Sequence, residues 1–309
     1  MILWLNSVQG VGKVLTKHEN EQLEQIHWDG DYFHQEGIFT SSLQDEQMDY
    51  RKRDYLFRRG EWRGLQFLPL LKSKSTARVL VVGHSDFEVK MSHILAVRQL
   101  SNYKRIYASN LGGYNRVSNY LGARMLPLGL SNPTRESQAH IIFGDTSVLS
   151  QAFFSTSPPR RTMDLTQIYS NFTPTTSKRH RQELYRSLPE VAHVRQGLID
   201  PTLEGRKRYL SEIRETGLVL CPAGNGPDTH RLYETLYMGA IPVVLKNSYQ
   251  FKLCRNLGFP AVGLDNWKQI SDLELVRRMA ADERFSERGL RALRLSSWVG
   301  PKGFLKQDS

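Results

Sequence analysis

The segment 221–245 combines residue types that suit the binding of a phosphorylated ligand. An apolar run gives way to a turn with Gly224 and Gly226, and glycine allows the backbone to approach another group closely. Asp228 or Thr229 then suits the N-cap of a helix, whose first N–H groups and positive dipole end attract a phosphate. We therefore predict an anion-binding turn at the start of this helix.

The predicted helix carries a cation and a carboxylate on one face. Arg231 and Glu234 are three residues apart and His230 precedes them, whereas the apolar residues of the helix fall on another face. The forked guanidinium of an arginine can bind diphosphate oxygens, and a glutamate can accept hydrogen bonds from ribose hydroxyls. A surface ion pair between Arg231 and Glu234 is the alternative. The glycine-rich turn before the helix favours a nucleotide site.

A second group of polar residues lies earlier in the chain. Lys178, Arg179 and Arg181 begin another predicted helix, and Asn171 and Thr173 end the strand before it. In an open α/β sheet, ligands bind beyond the carboxyl ends of the strands. We therefore consider these five residues candidate contacts to the same ligand, with a solvated basic helix face as the alternative.

The elements that position these residues alternate between strand and helix, which indicates βαβ units and parallel sheets. The alternation restarts after 155–161, where a pair of prolines cannot continue a helix or a central strand. We predict two Rossmann-like domains, 1–160 (irregular over 1–75, Rossmann-like over 76–160) and 161–309. The predicted strands cover 79–82, 105–109, 121–126, 140–145, 167–172, 192–195, 217–221 and 241–245. The predicted helices cover 89–100, 178–188, 205–214, 229–238, 273–281 and 286–295.

His84 and Asp86 follow directly after the predicted strand 79–82. If that turn faces an acceptor, either side chain could remove the proton from an attacking hydroxyl group as a general base. A turn in which Asp86 caps the next helix is the alternative.

The segment 221–245 resembles the C-terminal signature of exostosin-like glycosyltransferases. That signature has a Pro-x-Gly turn, an Arg and a Glu on the following helix, and then Gly-x-Ile-Pro-Val. This chain has Pro222, Gly224, Arg231 and Glu234 at those positions, followed by Gly239-Ala-Ile-Pro-Val. The broader resemblance is to GT-B glycosyltransferases, an α/β fold with two Rossmann-like domains facing across a cleft.

The resemblance implies transfer of a sugar from a nucleotide-diphosphate donor to a hydroxyl group of a glycan or glycoconjugate acceptor. In such enzymes the second domain holds most of the donor, which gives Arg231 the phosphate and Glu234 the ribose. The resemblance also implies that no metal or other cofactor is bound, because GT-B enzymes usually stabilise the leaving diphosphate with helix dipoles and basic side chains. The resemblance implies that Arg231 and Glu234 hold the donor. Together with the candidates found from the turns and helix starts, the predicted donor-binding residues are Asn171, Thr173, Lys178, Arg179, Arg181, Gly224, Asn225, Gly226, Asp228, Thr229, His230, Arg231 and Glu234.

The composition fits a globular protein with an anionic partner. With 39% hydrophobic and 24% charged residues, a disordered or fibrous chain is excluded. The net charge of +11 attracts polyanions. Two cysteines, Cys221 and Cys254, are too few for a disulfide framework and are typical of a reducing compartment. The sequence shows neither a membrane-spanning run nor a signal peptide, so we expect a cytoplasmic protein with peripheral contact to an anionic membrane.

Two other functional classes stay open on the sequence alone. The run of basic and aromatic residues at 50–62 suits a nucleic-acid-binding protein, which would use phosphate contacts and base stacking. No recognised nucleic-acid motif accompanies the run, and an ordinary solvated helix explains it equally well. A non-catalytic binding protein with the GT-B shape is the other class. We rank nucleic acid below a nucleotide sugar as the partner.

Overall fold

The structure is a computed structural model that describes residues 55–59, 79–83, 88–100, 103–114, 116–131, 142–159, 165–176 and 178–293, with 298 and 304. The described residues form two compact units. The N-terminal unit contains those up to Gly129, together with Asn225–Asp228 and the two isolated residues near the C-terminus. The C-terminal unit contains those of Leu130–Gly224 and Thr229–Leu293.

The N-terminal unit contains a parallel sheet of four strands in the sequential order β1-β2-β3-β4. Its strands are β1 (Tyr55–Arg59), β2 (Val79–Gly83), β3 (Arg105–Ala108) and β4 (Ala123–Met125), and its helices are α1 (Met91–Leu100) and α2 (Arg116–Tyr120). The three later strands confirm the sequence prediction. The helical interpretation of the basic and aromatic run is wrong for β1, because this segment pairs along its whole length with the apolar strand β2.

The C-terminal unit contains a parallel sheet of five strands, surrounded by helices. Its strands are β5 (Ile168–Ser170), β6 (Val194–Gln196), β7 (Leu218–Leu220), β8 (Ile241–Leu245) and β9 (Val262–Leu264). Its α-helices are α3 (Thr146–Ser155), α4 (Lys178–Ser187), α5 (Leu203–Thr216), α6 (His230–Tyr237), α7 (Tyr249–Leu257), α8 (Leu273–Ala281) and α9 (Glu287–Ala292). Short 3-10 helices cover Leu188–Glu190 and Trp267–Ser271.

The strand order of this sheet is β6-β5-β7-β8-β9, so the order reverses between β5 and β7. Counted within the unit, this is the doubly wound order 2-1-3-4-5, in which ligands bind where the carboxyl ends of the first and third strands diverge. Every residue of β5 and β7 is buried, as expected for strands covered on both faces. The predicted α/β class with parallel sheets is therefore confirmed, and the topology directs attention to the loops after β5 and β7.

Pro242 lies in β8, a strand with neighbours on both sides, although proline has no N–H to donate to a sheet. The register explains why it is tolerated. The pairing of β8 with β9 begins at Val243 and Val262, one residue after Pro242. On the side of β7, the Val243 carbonyl accepts a hydrogen bond from the Cys221 N–H, and Pro242 is not needed as a donor.

The predicted strand at 140–145 is wrong, because residues 142–144 are helical. Asp145 then caps α3, and its carboxylate accepts a hydrogen bond from the backbone N–H of Ser147 at 2.9 Å. A short apolar run does not distinguish a strand from a buried helical segment by its period alone.

The contacts also place the division between the units near residue 130 rather than at the predicted boundary of 160. Helix α3 belongs to the C-terminal unit because it packs on α5. The Arg214 guanidinium lies 3.7 Å from the centre of the Phe153 ring, and its Nε donates to the Thr156 carbonyl at 2.6 Å. The prolines after α3 therefore form part of a packed unit.

Gly217 ends α5 in a left-handed conformation, with φ of 72°. A Cβ at this position would lie 2.6 Å from Cδ2 of Leu165, which is itself buried. We expect Gly217→Ala to lower the free energy of unfolding by roughly 2–4 kcal/mol, from left-handed strain plus overpacking.

The control for this substitution is Gly113→Ala. Gly113 has φ of 66° but open space around its Cβ position, so it carries the backbone strain alone. We expect a loss of about 1 kcal/mol there. Urea denaturation measures both values, and equal losses would contradict the packing argument.

Candidate functional site

Arg181 ties together the two loops that follow β5 and β7. Its Nε donates to the Ala223 carbonyl at 2.8 Å, and its two terminal nitrogens lie 3.5 Å from the carbonyls of Thr173 and Pro222. The residue is buried, with 6% of its surface exposed. These three partners of the guanidinium are carbonyl groups, and none of them is a negative ion. The positive charge of Arg181 is therefore not neutralised by them. Burial, together with the nearby Arg231 charge, lowers the pKa of Arg181 to about 10, which leaves it protonated at neutral pH.

Gly224 allows the second loop to lie against Arg181. A Cβ at this position would be 3.2 Å from Nη2 of Arg181 and 3.2 Å from Cγ2 of Thr229. Any larger residue would therefore press on the guanidinium and on the start of α6. This close approach gives a physical reason for a glycine in the Pro-x-Gly turn.

Arg231 lies in the first turn of α6, at the same edge of the sheet. One of its terminal nitrogens donates to the backbone carbonyl of Asn171, which follows β5. Its Nε is buried without a hydrogen-bond partner. Burial lowers the pKa of Arg231, but Tyr209, Cys221 and Glu234 outweigh that effect and raise it. Two guanidinium groups therefore converge where the strand order reverses.

The loop after β5 is held by a chain of side-chain contacts. The Asn171 amide donates to the Tyr169 hydroxyl at 3.1 Å and to the Leu198 carbonyl at 3.0 Å. The Tyr169 hydroxyl donates to Glu212 at 2.7 Å, and Glu212 also pairs with Arg195 at 2.8 Å. Asn171 is therefore buried and positions its carbonyl for Arg231, while Thr173 at the next turn is exposed.

Glu234 is buried and pairs with a residue that the sequence analysis did not single out. Its Oε1 accepts from Nη1 of Arg206 at 2.6 Å, and its Oε2 accepts from the Tyr209 hydroxyl at 2.6 Å. The alternative of a surface ion pair between Arg231 and Glu234 is therefore wrong, because Glu234 is buried and its ion pair is with Arg206 on α5. The ribose-binding role implied by the resemblance stays a prediction.

Thr229, rather than Asp228, is the N-cap residue of α6. Its hydroxyl does not bond to the first turn of its own helix, and Gln250 donates to it at 3.3 Å. His230 is the first residue of the helix and is half-buried. The start of α6 thus lies beside both arginines.

Three further candidates, Asn225, Gly226 and Asp228, belong to the N-terminal unit. Asp228 is buried there, and its carboxylate accepts from the Leu128 N–H at 3.1 Å. Its own N–H donates to the Asn110 side chain at 2.7 Å. Asp228 therefore organises loops of that unit, while Asn225 is exposed.

The remaining candidates lie outside the description in whole or in part. His84 and Asp86 are outside the described residues. Lys178 and Arg179 occupy the first turn of α4, and their side chains are outside the description. Where the structure describes the chain, no three His, Cys, Asp or Glu side chains cluster as a metal site would require. In the same residues no helix has the length and apolar character needed to cross a bilayer.

Sequence reasoning missed Arg206 and Tyr209, which hold Glu234. Both lie on α5 at a spacing of three residues, so they share a helix face. Helical periodicity could have placed them together, but an arginine in a polar helix is ordinarily solvent-exposed. The distant partner Glu234 is what makes burial favourable.

Comparison with known proteins gives one family match and several curated relatives. Residues 160–299, slightly less than half of the chain, match the family described as "RXYLT1 C-terminal domain". Ribitol-5-phosphate xylosyltransferase 1 of Danio rerio is 28% identical over 120 residues, which are 35% of this chain and 27% of that protein. The proteins of the same name from Mus musculus and Homo sapiens are 28% and 27% identical over 101 residues, or 28% of this chain and 23% of each relative.

The match spans about a quarter of the length of these curated relatives. The family match covers the part of the chain that contains both arginines and the reversal of strand order. The description of the matching family does not name the exostosin-like glycosyltransferases that the segment 221–245 resembles. The C-terminal half of this chain is thus similar to a domain of glycosyltransferases.

Proposed function

We propose that this chain is a glycosyltransferase that moves a sugar from a nucleoside-diphosphate donor to a phosphorylated polyol. The relatives are named for transfer of xylose to ribitol-5-phosphate, and we extend that pairing of donor sugar and acceptor to this chain. The observation that carries the proposal is the convergence of Arg181 and Arg231 at the loops after β5 and β7. A GT-B enzyme of the exostosin-like type is its finer form, supported by the two parallel sheets and the signature at 221–245.

In this proposal, the donor diphosphate binds between the two guanidinium groups and the start of α6. Arg231 presents a forked cation to the phosphate oxygens, and Arg181 adds a second positive charge from within the loop it holds. Negative charge grows on the diphosphate as its bond to the anomeric carbon breaks. Cations already fixed in place stabilise that charge without reorganising during the reaction.

The reaction forms one bond and breaks another. An acceptor hydroxyl oxygen attacks the anomeric carbon, the bond from that carbon to the diphosphate oxygen breaks, and the nucleoside diphosphate leaves. The hydroxyl proton passes to a general base, for which His84 and Asp86 stay the predicted candidates. The surplus of basic residues also suits an acceptor that carries a phosphate.

A ligand panel tests this function. We expect nucleoside diphosphates and their xylose conjugates to raise the melting temperature of the chain, because a ligand that binds the native state stabilises it by mass action. The conjugate that gives the largest shift should release its nucleoside diphosphate when ribitol-5-phosphate is added. Binding of DNA or RNA with a steep salt dependence, and no shift with any nucleotide, would contradict the proposal and favour the nucleic-acid class.

A further inference from the structure

Helix α2 of the N-terminal unit has an exposed face with apolar side chains. Val117 and Tyr120 on this helix are 59% and 89% exposed. They are three positions apart and therefore lie on the same side of the helix, and the exposed Arg116 joins them because it precedes Tyr120 by four positions. Ser118, on the opposite side, is buried. One face of α2 therefore packs on the unit, and the other presents a ring, an aliphatic side chain and a cation.

Two arginines of the neighbouring strands lie beside the end of this helix. Arg124 on β4 donates to the Asn119 carbonyl at 2.9 Å and also to the Asn119 side chain. The turn between α2 and β4 contains Gly122, where an added Cβ would lie 3.5 Å from Nη1 of Arg105, the first residue of β3. These contacts place both guanidinium groups near the amino ends of the two strands, next to the segment that ends in Tyr120.

Two further cations lie at the same end of the sheet. Arg98, in the last turn of α1, donates to the Tyr103 carbonyl at 2.6 Å, and Lys104 follows that residue in the chain. Both cations are exposed. Bonds from arginine to carbonyls near helix ends also have a structural use, as caps. The acceptors of Arg98 and Arg124 are all neutral groups, so these bonds leave both positive charges in place.

The acidic residues that the structure describes in this unit lie at the other end of the sheet. Glu88 lies against Gly112, which follows β3. The Asp228 carboxylate accepts from the N–H of Leu128, which follows β4. Both are therefore at the carboxyl ends of the strands. Charge in the described part of the unit is thus divided along the strand direction, with an excess of positive charge at the amino ends.

We propose that the exposed residues at the amino ends dock on a membrane that contains anionic phospholipids. This docking surface consists of Arg98, Lys104, Arg116, Val117, Tyr120 and Arg124. Lysine and arginine close to such a membrane are attracted by the negative charge of its lipids. A tyrosine suits the headgroup region, because its ring is apolar and its hydroxyl is polar. The net charge of +11 draws the chain toward the same lipids from a longer distance.

A nucleic acid fits the docking surface less well than a lipid interface does. Proteins that bind single strands provide several aromatic rings on which successive bases stack. Among the described residues of this surface, Tyr120 is the one aromatic side chain, and its neighbour Val117 is aliphatic. At a lipid interface, apolar groups of this kind enter between the headgroups while the cations stay at the phosphates. The combination of side chains therefore favours the membrane.

Cosedimentation of the full chain with lipid vesicles tests the inference. The vesicles contain phosphatidylcholine alone or equal parts of phosphatidylcholine and phosphatidylserine, and we expect binding to the second kind. Arg98→Gln/Lys104→Gln should weaken this binding roughly 25-fold, because each cation contributes about fivefold. Tyr120→Ser should weaken it several-fold, since less apolar surface enters the headgroup region. At 89% exposure, Tyr120 can be replaced without disturbing the core.

The matched control is Lys268→Gln/Arg278→Gln, which removes the same charge from exposed positions of the C-terminal unit. We expect it to weaken binding less than about twofold, because distant charges are screened by salt. Equal losses in the two charge pairs would overturn the inference, and so would unchanged binding of Tyr120→Ser. Equal binding to both kinds of vesicle, or binding of DNA without binding of vesicles, would also overturn it. Nucleotide affinity is measured separately, so none of these results decides the proposed function.

Discussion

Replacing Arg206 by alanine is expected to lower the free energy of unfolding by about 3–5 kcal/mol. The substitution leaves the carboxylate of Glu234 buried at 5% exposure without the cation that neutralises it. It also removes the guanidinium that lies over the Phe143 and Tyr209 rings. For a unit of this size the melting temperature should fall on the order of 10 °C.

Arg208→Ala is the matched control for this prediction. Arg208 lies on the same helix and pairs with Asp200 at 2.7 Å, a distance close to that of the Arg206 pair. The two pairs differ in burial, because 44% of the Arg208 side chain and 1% of the Arg206 side chain are exposed. We expect a loss below about 1 kcal/mol for Arg208→Ala. Equal losses in both variants would contradict the idea that burial sets the effect.

The double variant Arg206→Ala/Glu234→Gln shows where the cost arises. If most of the stability lost in Arg206→Ala comes from the unpaired carboxylate, neutralising Glu234 recovers part of that stability. The double variant should then lose clearly less than the sum of the two single losses. Strict additivity would mean that the two residues act independently, which the distance of 2.6 Å does not support.

Elements bounded by clear local signals could be predicted from the sequence. Strand β8 covers 241–245 as predicted, because Gly239 ends the helix before it with φ of 74° and an apolar run follows. Helix α8 covers 273–281 as predicted, and Asp272 caps it by accepting from the Leu275 N–H. In each case the residues that set the boundary are adjacent in the chain to the element they limit.

Helix α7 and strand β9 were not predicted, although their local signals are present. Ser248 caps α7 by accepting from Phe251, and Gly258 ends it in the left-handed region with φ of 81°. The strand that follows has only three residues, which is too short to show a period. The capping residues, rather than the apolar pattern, were the usable signal here.

The site was only partly predictable because its geometry depends on contacts between distant segments. The sequence placed Arg181 and Arg231 at the turns after two strands, and the strand order brings those turns to one edge of the sheet. The sequence did not show that Arg206 pairs with Glu234, which lies 28 positions later in the chain, or that the two side chains are buried together. Local spacing favoured Arg231 as the partner of Glu234, whereas the packing of α5 against α6 makes Arg206 its partner.

Replacing Arg231 by alanine is expected to weaken the binding of nucleoside diphosphates by roughly 10- to 100-fold. The substitution removes the more exposed of the two cations at this edge and leaves Arg181 within its loop. Arg231→Lys keeps the charge but loses the forked geometry, so an intermediate loss is expected. Calorimetric titration measures all three chains, with Arg278→Ala, an exposed arginine on α8, as the control that should bind like wild type.

The stability of the ligand-free Arg231→Ala chain distinguishes a binding residue from a structural one. Arg231 shares its surroundings with Arg181, whose pKa is lowered by burial and by the Arg231 charge, so the two cations repel each other. Removing Arg231 relieves that repulsion, but it also removes the attraction of Glu234 and the hydrogen bond to the Asn171 carbonyl. These effects oppose each other, so the melting temperature of the ligand-free chain should stay within about 2 °C of wild type. A structural arginine would show the reverse, a large fall in melting temperature with ligand affinity retained by the folded fraction. Loss of affinity without loss of stability is therefore the result that assigns Arg231 to the diphosphate.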